Sequence, residues 1–161
     1  MIIAVDFDGT CTTHEYPRIG RDIGAAPVLR RLVAAGHQIM LWTMRSGAEL
    51  DDAVRWFQTR NIPLYGVNLN PTQQGWTTSP KPYAQLYIDD AALGCPLSAP
   101  GRSGERRHVD WEKVAQMLLQ GADHSPQESR GSSAGSCAGY QSPDRPQSLL
   151  ARFMSYISMP S

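Results

Sequence analysis

The chain has 161 residues, enough for one domain with a proper core and little beyond it. Its 15 Lys and Arg balance 15 Asp and Glu, so no global field recruits nucleic acid or an anionic membrane, and any such attraction would have to be local. The three cysteines, Cys11, Cys95 and Cys137, form no metal-type spacing and fit a reducing compartment better than a disulfide framework. A cytoplasmic protein is expected, because Asp6 breaks the first apolar run, no basic segment precedes it, and no later run approaches spanning length.

Ile2 to Val5 read as a short buried strand that leaves Asp6 and Asp8 at its carboxyl end, where open α/β sheets place their ligands. Val28, Leu29, Leu32 and Val33, with Ala25 and Ala26 ahead and Gly36 behind, recur at helical spacing and predict the first helix. Gln38 to Thr43 follows as an apolar strand closing on a hydroxyl. A second helix is predicted from Ala48 to Arg60, with Leu50, Val54 and Phe57 on one side and Asp51, Asp52 and Arg55 off it. Leu64 to Val67 is the third predicted strand, and Gln85 to Ile88, leading into Asp89-Asp90, is the fourth.

Asp110 is positioned to cap a last helix that carries Trp111, Val114, Ala115, Leu118 and Leu119 and ends near Gly121. Alternating strands and helices imply right-handed crossovers and a mostly parallel sheet, hence an α/β, Rossmann-like three-layer sandwich over residues 1–120. Residues 121–147 are dominated by Ser, Gly, Pro, Gln and Asp and read as a disordered linker. Within 148–161, Leu149, Leu150, Phe153, Met154 and Ile157 recur at helical intervals and suggest a short amphipathic helix with weak docking.

Two acids as close as Asp6 and Asp8 repel unless a cation lies between them, and Mg²⁺ is the simplest resident, since it takes hard oxygen ligands and sites shared with phosphates. Such a pair alone is equally at home in a solvated turn. More specific is the ordered set: Asp6 and Asp8, then Thr43, then Lys81 just before the fourth strand, then Asp89 and Asp90. Together these supply what phosphoryl transfer needs, namely a nucleophile, an acid/base, a phosphate-binding hydroxyl, a cation and metal ligands.

On these residues the chain resembles the haloacid dehalogenase superfamily of phosphohydrolases, whose signature is a DxDGT run after the first strand, here Asp6-Phe7-Asp8-Gly9-Thr10. The family's second motif looks like Thr43, its third like Lys81 and its fourth like Asp89-Asp90. The resemblance implies an uncapped, minimal member of that family. Asp6 would attack phosphorus to form an aspartyl-phosphate, while Asp8 would protonate the leaving oxygen and then deprotonate water. Mg²⁺ would be held by the Asp6 carboxylate, the Asp8 main-chain carbonyl, Asp89 and, directly or through water, Asp90. Thr43, Lys81 and the backbone amides around Phe7 and Asp8 would hold the non-bridging oxygens.

Lys81 departs from the family pattern because Pro80 and Pro82 flank it, and Arg45 is a rival or additional phosphate clamp whose planar fork suits the task. Residues 11–24 leave room for a flap-like hairpin and no cap domain, so a large substrate or a neighbouring subunit has to cover the open site. His14, Glu15, Tyr16 and Arg18 are flap candidates for the leaving group, against plain hairpin polarity. Trp42 and Trp76 suit stacking on a base less well than packing in the core, His37 and His108 read as surface residues, and Cys11 reads as a small semi-buried side chain.

The expectation is therefore a Mg²⁺-dependent phosphomonoester hydrolase acting on a phosphorylated substrate of open class. Nothing indicates a nucleic-acid or membrane partner. The rival reading is a non-catalytic or receiver-like phosphate-binding module. A receiver would place its acid pair after the first strand and its phosphoacceptor after a middle one, the reverse of the order here.

Overall fold

The computed structural model describes residues 1–100 and 106–119. At its centre β1 (Ile2–Val5), buried along its whole length, pairs in parallel with β2 (Gln38–Leu41) on one side and β4 (Leu86–Ile88) on the other. β3 (Leu64–Val67) lies beyond β2, giving the order β3-β2-β1-β4. A strand with parallel neighbours on both edges and chain on both faces has no solvent side, which is why Ile2-Ile3-Ala4-Val5 shows no polar alternation. The α/β class and the all-parallel sheet agree with the sequence reading, and no cap domain occurs among the described residues.

The helices α1 (Ala25–Ala34), α2 (Gly47–Gln58) and α3 (Trp111–Leu119) share one core with Ile3, Val5, Ile39, Leu41 and Ile88. Ile2, Ala4 and Met40 point the other way, as the two-residue strand period demands, and meet Trp42, Tyr65, Ala84 and Tyr87. Handedness explains this division. From β1 through β2 to β3 the chain moves one way across the sheet, so right-handed crossovers put α1 and α2 on the same face. The return from β3 past β2 and β1 to β4 runs the opposite way and must cross the opposite face.

That crossing is made by residues 68–85, whose regular structure is a 3-10 turn at Gln73–Gly75. The third layer of the sandwich is thus irregular chain held by buried amides. Asn70 donates to the Tyr83 carbonyl at 2.7 Å, Gln73 donates to the Ser79 carbonyl at 2.9 Å, and the Tyr83 N–H donates to Gln73 at 2.6 Å. Gly66 is required where the segment turns back, because a Cβ there would strike the Leu69 carbonyl.

Element boundaries shift by one or two residues from the sequence reading. β2 stops at Leu41, so Thr43 lies beyond the strand, and α2 starts at Gly47 and stops at Gln58. Trp56, outside the stripe of Leu50, Val54 and Phe57, is nonetheless buried edge-on to Phe7 with a centroid separation of 5.7 Å. No helix among the described residues is long and apolar enough to cross a membrane. The expected linker over 121–147 and the expected helix over 148–161 lie outside the described residues.

Asp110 caps α3 as expected, its Oδ1 accepting the Lys113 N–H at 3.1 Å. The very next residue ties the helix to the first motif: the buried Trp111 Nε1 donates to the Thr10 carbonyl at 2.6 Å. Removing that donor leaves a buried carbonyl unpaired. Trp111→Phe is expected to lower the stability measured by urea unfolding by about 1 to 3 kcal/mol.

Candidate active site

The site follows from strand register. Val5 lies opposite Ile88 on one side and Leu41 on the other, so the next residues along the three strands emerge together at the carboxyl edge of the sheet. The Asp6 N–H donates to the Ile88 carbonyl at 2.9 Å and the Trp42 N–H to the Val5 carbonyl at 2.9 Å. Asp6 and Asp89 are thereby set side by side, with Thr43 a step further along the neighbouring chain.

Asp6, Asp89 and Asp90 each offer a carboxylate oxygen, and these atoms all lie within 4.8 Å of one another. Thr10 links two of the three acids. Its hydroxyl donates to Asp6 Oδ2 at 3.2 Å and accepts the Asp90 N–H at 3.0 Å. Gly9 makes room for the third: it has a φ of 84°, and a Cβ there would come within 2.5 Å of Asp90 Oδ2. Burial pushes the Asp6 carboxyl up to about 7; Asp89 and Asp90 add to the rise, and the Phe7 N–H and Thr10 hydroxyl oppose it. Asp90 is raised for the same reasons, burial first and then Asp89, with Arg106 and His14 pulling it back.

Three hard oxygen donors without His or Cys fit a hard divalent cation such as Mg²⁺, and a cation there would relieve the repulsion that raises these acids. Asp8, two residues after Asp6, stands apart from the three. Both its oxygens accept from the Arg45 fork, Nε to Oδ2 at 2.7 Å and Nη2 to Oδ1 at 2.7 Å. Its expected metal contact was through the main-chain carbonyl, so the side chain is free for this pairing.

Arg45 is 2% exposed and engages every donor it has. Besides Asp8 it donates to the carbonyls of Pro17 at 3.0 Å and Arg18 at 2.8 Å in the flap, and of Glu49 at 3.4 Å in the first turn of α2. The rings of Phe7 and Tyr16 flank the guanidinium at 4.9 and 5.4 Å. The flap is the expected hairpin: Thr12 bridges to Asp22, and the Thr13 N–H donates to the Arg21 carbonyl at 3.0 Å.

A solved structure, that of a conserved protein from Bacteroides thetaiotaomicron, is 35% identical to this chain, covering 75% of it and 91% of that protein with a TM-score of 0.61. The chain belongs to the same family as that conserved protein. No family model and no curated protein matches it. Membership in this family carries the fold and assigns no chemistry, so function has to be argued from the side chains.

The cleft over the acids has a volume of about 520 Å³ and is lined by Asp6, Asp8, Thr43, Arg45, Asp89 and Asp90 of the expected set. The Thr43 N–H donates to Asn68 Oδ1 at 2.8 Å, while Thr43 Oγ1 accepts the Arg45 N–H at 3.3 Å, leaving its own proton to donate. The Phe7 amide hydrogen-bonds the Asp6 carboxylate. Lys81 is the exception and is corrected by the geometry. It lines a separate cleft with Trp76, Tyr83 and Tyr87, and its Nζ lies 5.3 Å from the Tyr87 ring centre. Lacking a helix to carry it, the segment between Pro80 and Pro82 follows the irregular third layer instead. Arg45, the rival or additional clamp, lines the cleft, but in this structure every donor of its fork is engaged by Asp8, the flap and α2.

Of the flap candidates, His14 and Tyr16 line the cleft; Glu15 is bound to the Thr13 hydroxyl at 3.0 Å, and Arg18 contributes its carbonyl to Arg45. Trp42 packs on the second sheet face, whereas Trp76 is 66% exposed, edge-on to Tyr83. Cys11 is fully buried and its thiol, donating to the Asp6 carbonyl, is pushed up by that burial, consistent with an inert side chain. Sequence reasoning gave Thr10 no role of its own and missed Asn68 and Arg106. The first was legible as part of DxDGT; the other two carry no motif.

Arg45 joins Asp8 to the flap and to α2, so a shorter, unforked cation cannot replace it. Arg45→Lys is expected to cost about 1 to 3 kcal/mol in urea unfolding, because a single ammonium cannot serve both oxygens of the part-buried Asp8 carboxylate and the flap carbonyls together. Backbone amide exchange over residues 13–22 should accelerate in the same variant.

Proposed function

We propose that this protein is a divalent-cation-dependent phosphomonoester hydrolase of the haloacid dehalogenase type, with Asp6 as nucleophile and Asp8 as general acid and base. The observation that carries the reading is the division of labour between two carboxylates two residues apart. Asp6 lies among the converging acids, and Asp8 is held outside them by a separate arginine. Acids placed in such different environments are suited to different tasks.

In the proposed reaction an Asp6 oxygen forms a bond to phosphorus as the bond from phosphorus to the leaving oxygen breaks. Asp8 supplies the proton that the leaving alkoxide needs. Water then attacks the aspartyl-phosphate; Asp8 takes its proton, and the bond from phosphorus to Asp6 breaks to return the carboxylate. Thr43 can donate its hydroxyl proton to a non-bridging oxygen. A divalent cation held by Asp6, Asp89 and Asp90 would neutralise charge so that an anionic ester can approach an anionic nucleophile. The Arg45 fork takes one lone pair on each oxygen of Asp8, so a proton bound for the leaving group would ride on the remaining lone pair of an oxygen already paired with the guanidinium.

The same lock is the observation that favours the rival, a phosphate-binding module without turnover. One assay separates the two. Hydrolysis of aryl and alkyl phosphate monoesters with Mg²⁺ is expected, with loss on chelation and at least about a thousandfold lower kcat in Asp6→Asn. Turnover that persists in Asp6→Asn removes the nucleophile, and no turnover of any ester by the intact protein favours the binding module. Asp8→Asn is expected to lower kcat more than it raises KM and to accumulate a phosphorylated protein, read by intact mass.

A further inference from the structure

The cleft is larger than a phosphoryl group needs, and its mouth is built from different residues than its floor. Asp6 and its neighbouring acids lie where the strands end, while His14, Tyr16, Met44 and Arg106 line the same cleft as exposed side chains. Arg106 makes no hydrogen bond or ion pair among the described residues and acts on Asp90 only through space, as His14 does. Since Arg45 has no donor left and Lys81 lines another cleft, Arg106 is the cleft-lining guanidinium with its fork free. Such a fork matches a carboxylate or a phosphate bidentately.

The apolar part of the mouth is equally uncovered. Met44 is 98% exposed although Thr43 and Arg45 on either side of it belong to the site, and Tyr16 is 57% exposed. The Tyr16 ring has the Arg45 guanidinium 5.4 Å from its centre and leaves much of its surface open to the cleft. A flexible thioether and an aromatic ring lining one cleft suit a planar or apolar body.

We propose that the substrate is a phosphomonoester whose leaving group carries a second anionic group, bound by Arg106 with His14, on a planar or apolar body resting against Tyr16 and Met44. This rests on the hydrolase reading above and adds the substrate class. Arg106 is assigned to the leaving group because it stands exposed at the mouth, whereas the group to be transferred must lie on the floor against Asp6.

The test compares phenyl phosphate, para-carboxyphenyl phosphate and para-phenylene bisphosphate as substrates of the full chain with Mg²⁺. At least one charged ester is expected to exceed phenyl phosphate in kcat/KM by about tenfold, a difference of about 1.4 kcal/mol. The two charged esters distinguish a carboxylate from a phosphate as the recognised group. Arg106→Gln should bring that ratio to within about twofold, and Arg106→Lys should restore part of it. Met44→Ser should raise KM for phenyl phosphate relative to methyl phosphate. A ratio near one in the natural protein overturns the inference, as does an Arg106→Gln variant that slows all esters by one factor, which would place Arg106 on the transferred group. If no ester is turned over, the hydrolase reading itself fails and this inference falls with it.

Discussion

Pairing of β1 with β4 in parallel register brings like charges together that would otherwise separate. With Val5 set opposite Ile88, the residue after each strand is an aspartate, and Asp90 follows at once. Such a cluster costs free energy in proportion to how dry it is, and the rise of Asp6 to about 7 is the mark of that cost. The surrounding fold offsets it through neutral donors. Thr10 reaches both Asp6 and Asp90, the Phe7 amide reaches Asp6, and Trp111 fixes the Thr10 carbonyl from the far side. The acids therefore converge because hydrophobic packing of β1, β2 and β4 is strong enough to set the register against their repulsion.

A second constraint keeps Asp8 from joining that cluster. Asp6 and Asp8 lie two residues apart just past the end of β1, so both carboxylates would be drawn toward any bound cation. The Arg45 fork takes Asp8 away and hands the rest of its donors to Pro17, Arg18 and Glu49. One buried guanidinium thus sets the position of the proposed acid/base, the flap and the start of α2 together. In the proposed reaction, movement of Asp8 toward a leaving group and movement of the flap are not independent, since both are bonded to the same planar group.

What could be read from the sequence was what depends on local order. The apolar runs, the DxDGT motif and the acidic pair after the last strand all announced themselves, because a strand end and the residue following it are adjacent in the chain. The Asp8 to Arg45 pairing joins residues 37 apart, and nothing in either segment names the other. Arg45 near a phosphate motif looked like a phosphate ligand because charge alone could be seen, and not how many carbonyls would surround it. Lys81 was misplaced for a related reason. A place just before β4 in sequence does not bring it to the carboxyl ends of the strands, because the reversed crossover sends residues 68–85 over the second face of the sheet.

That reversed crossover also bears on how the cleft meets its substrate. Where a helix would present a rigid, capped end at the carboxyl edge, this chain has an irregular layer fixed by Asn70 and Gln73, and the cleft is left bordered by the flap, Met44 and Arg106. In the proposed reaction no covering domain among the described residues would exclude water, so a large substrate or a neighbouring subunit would have to do so. A leaving group large enough to span from Asp6 to Tyr16 and Met44 would dry the reaction and contact Arg106 in the same act. Binding energy gathered at the mouth would thus act on chemistry at the floor, which is how an open site can be selective without a lid.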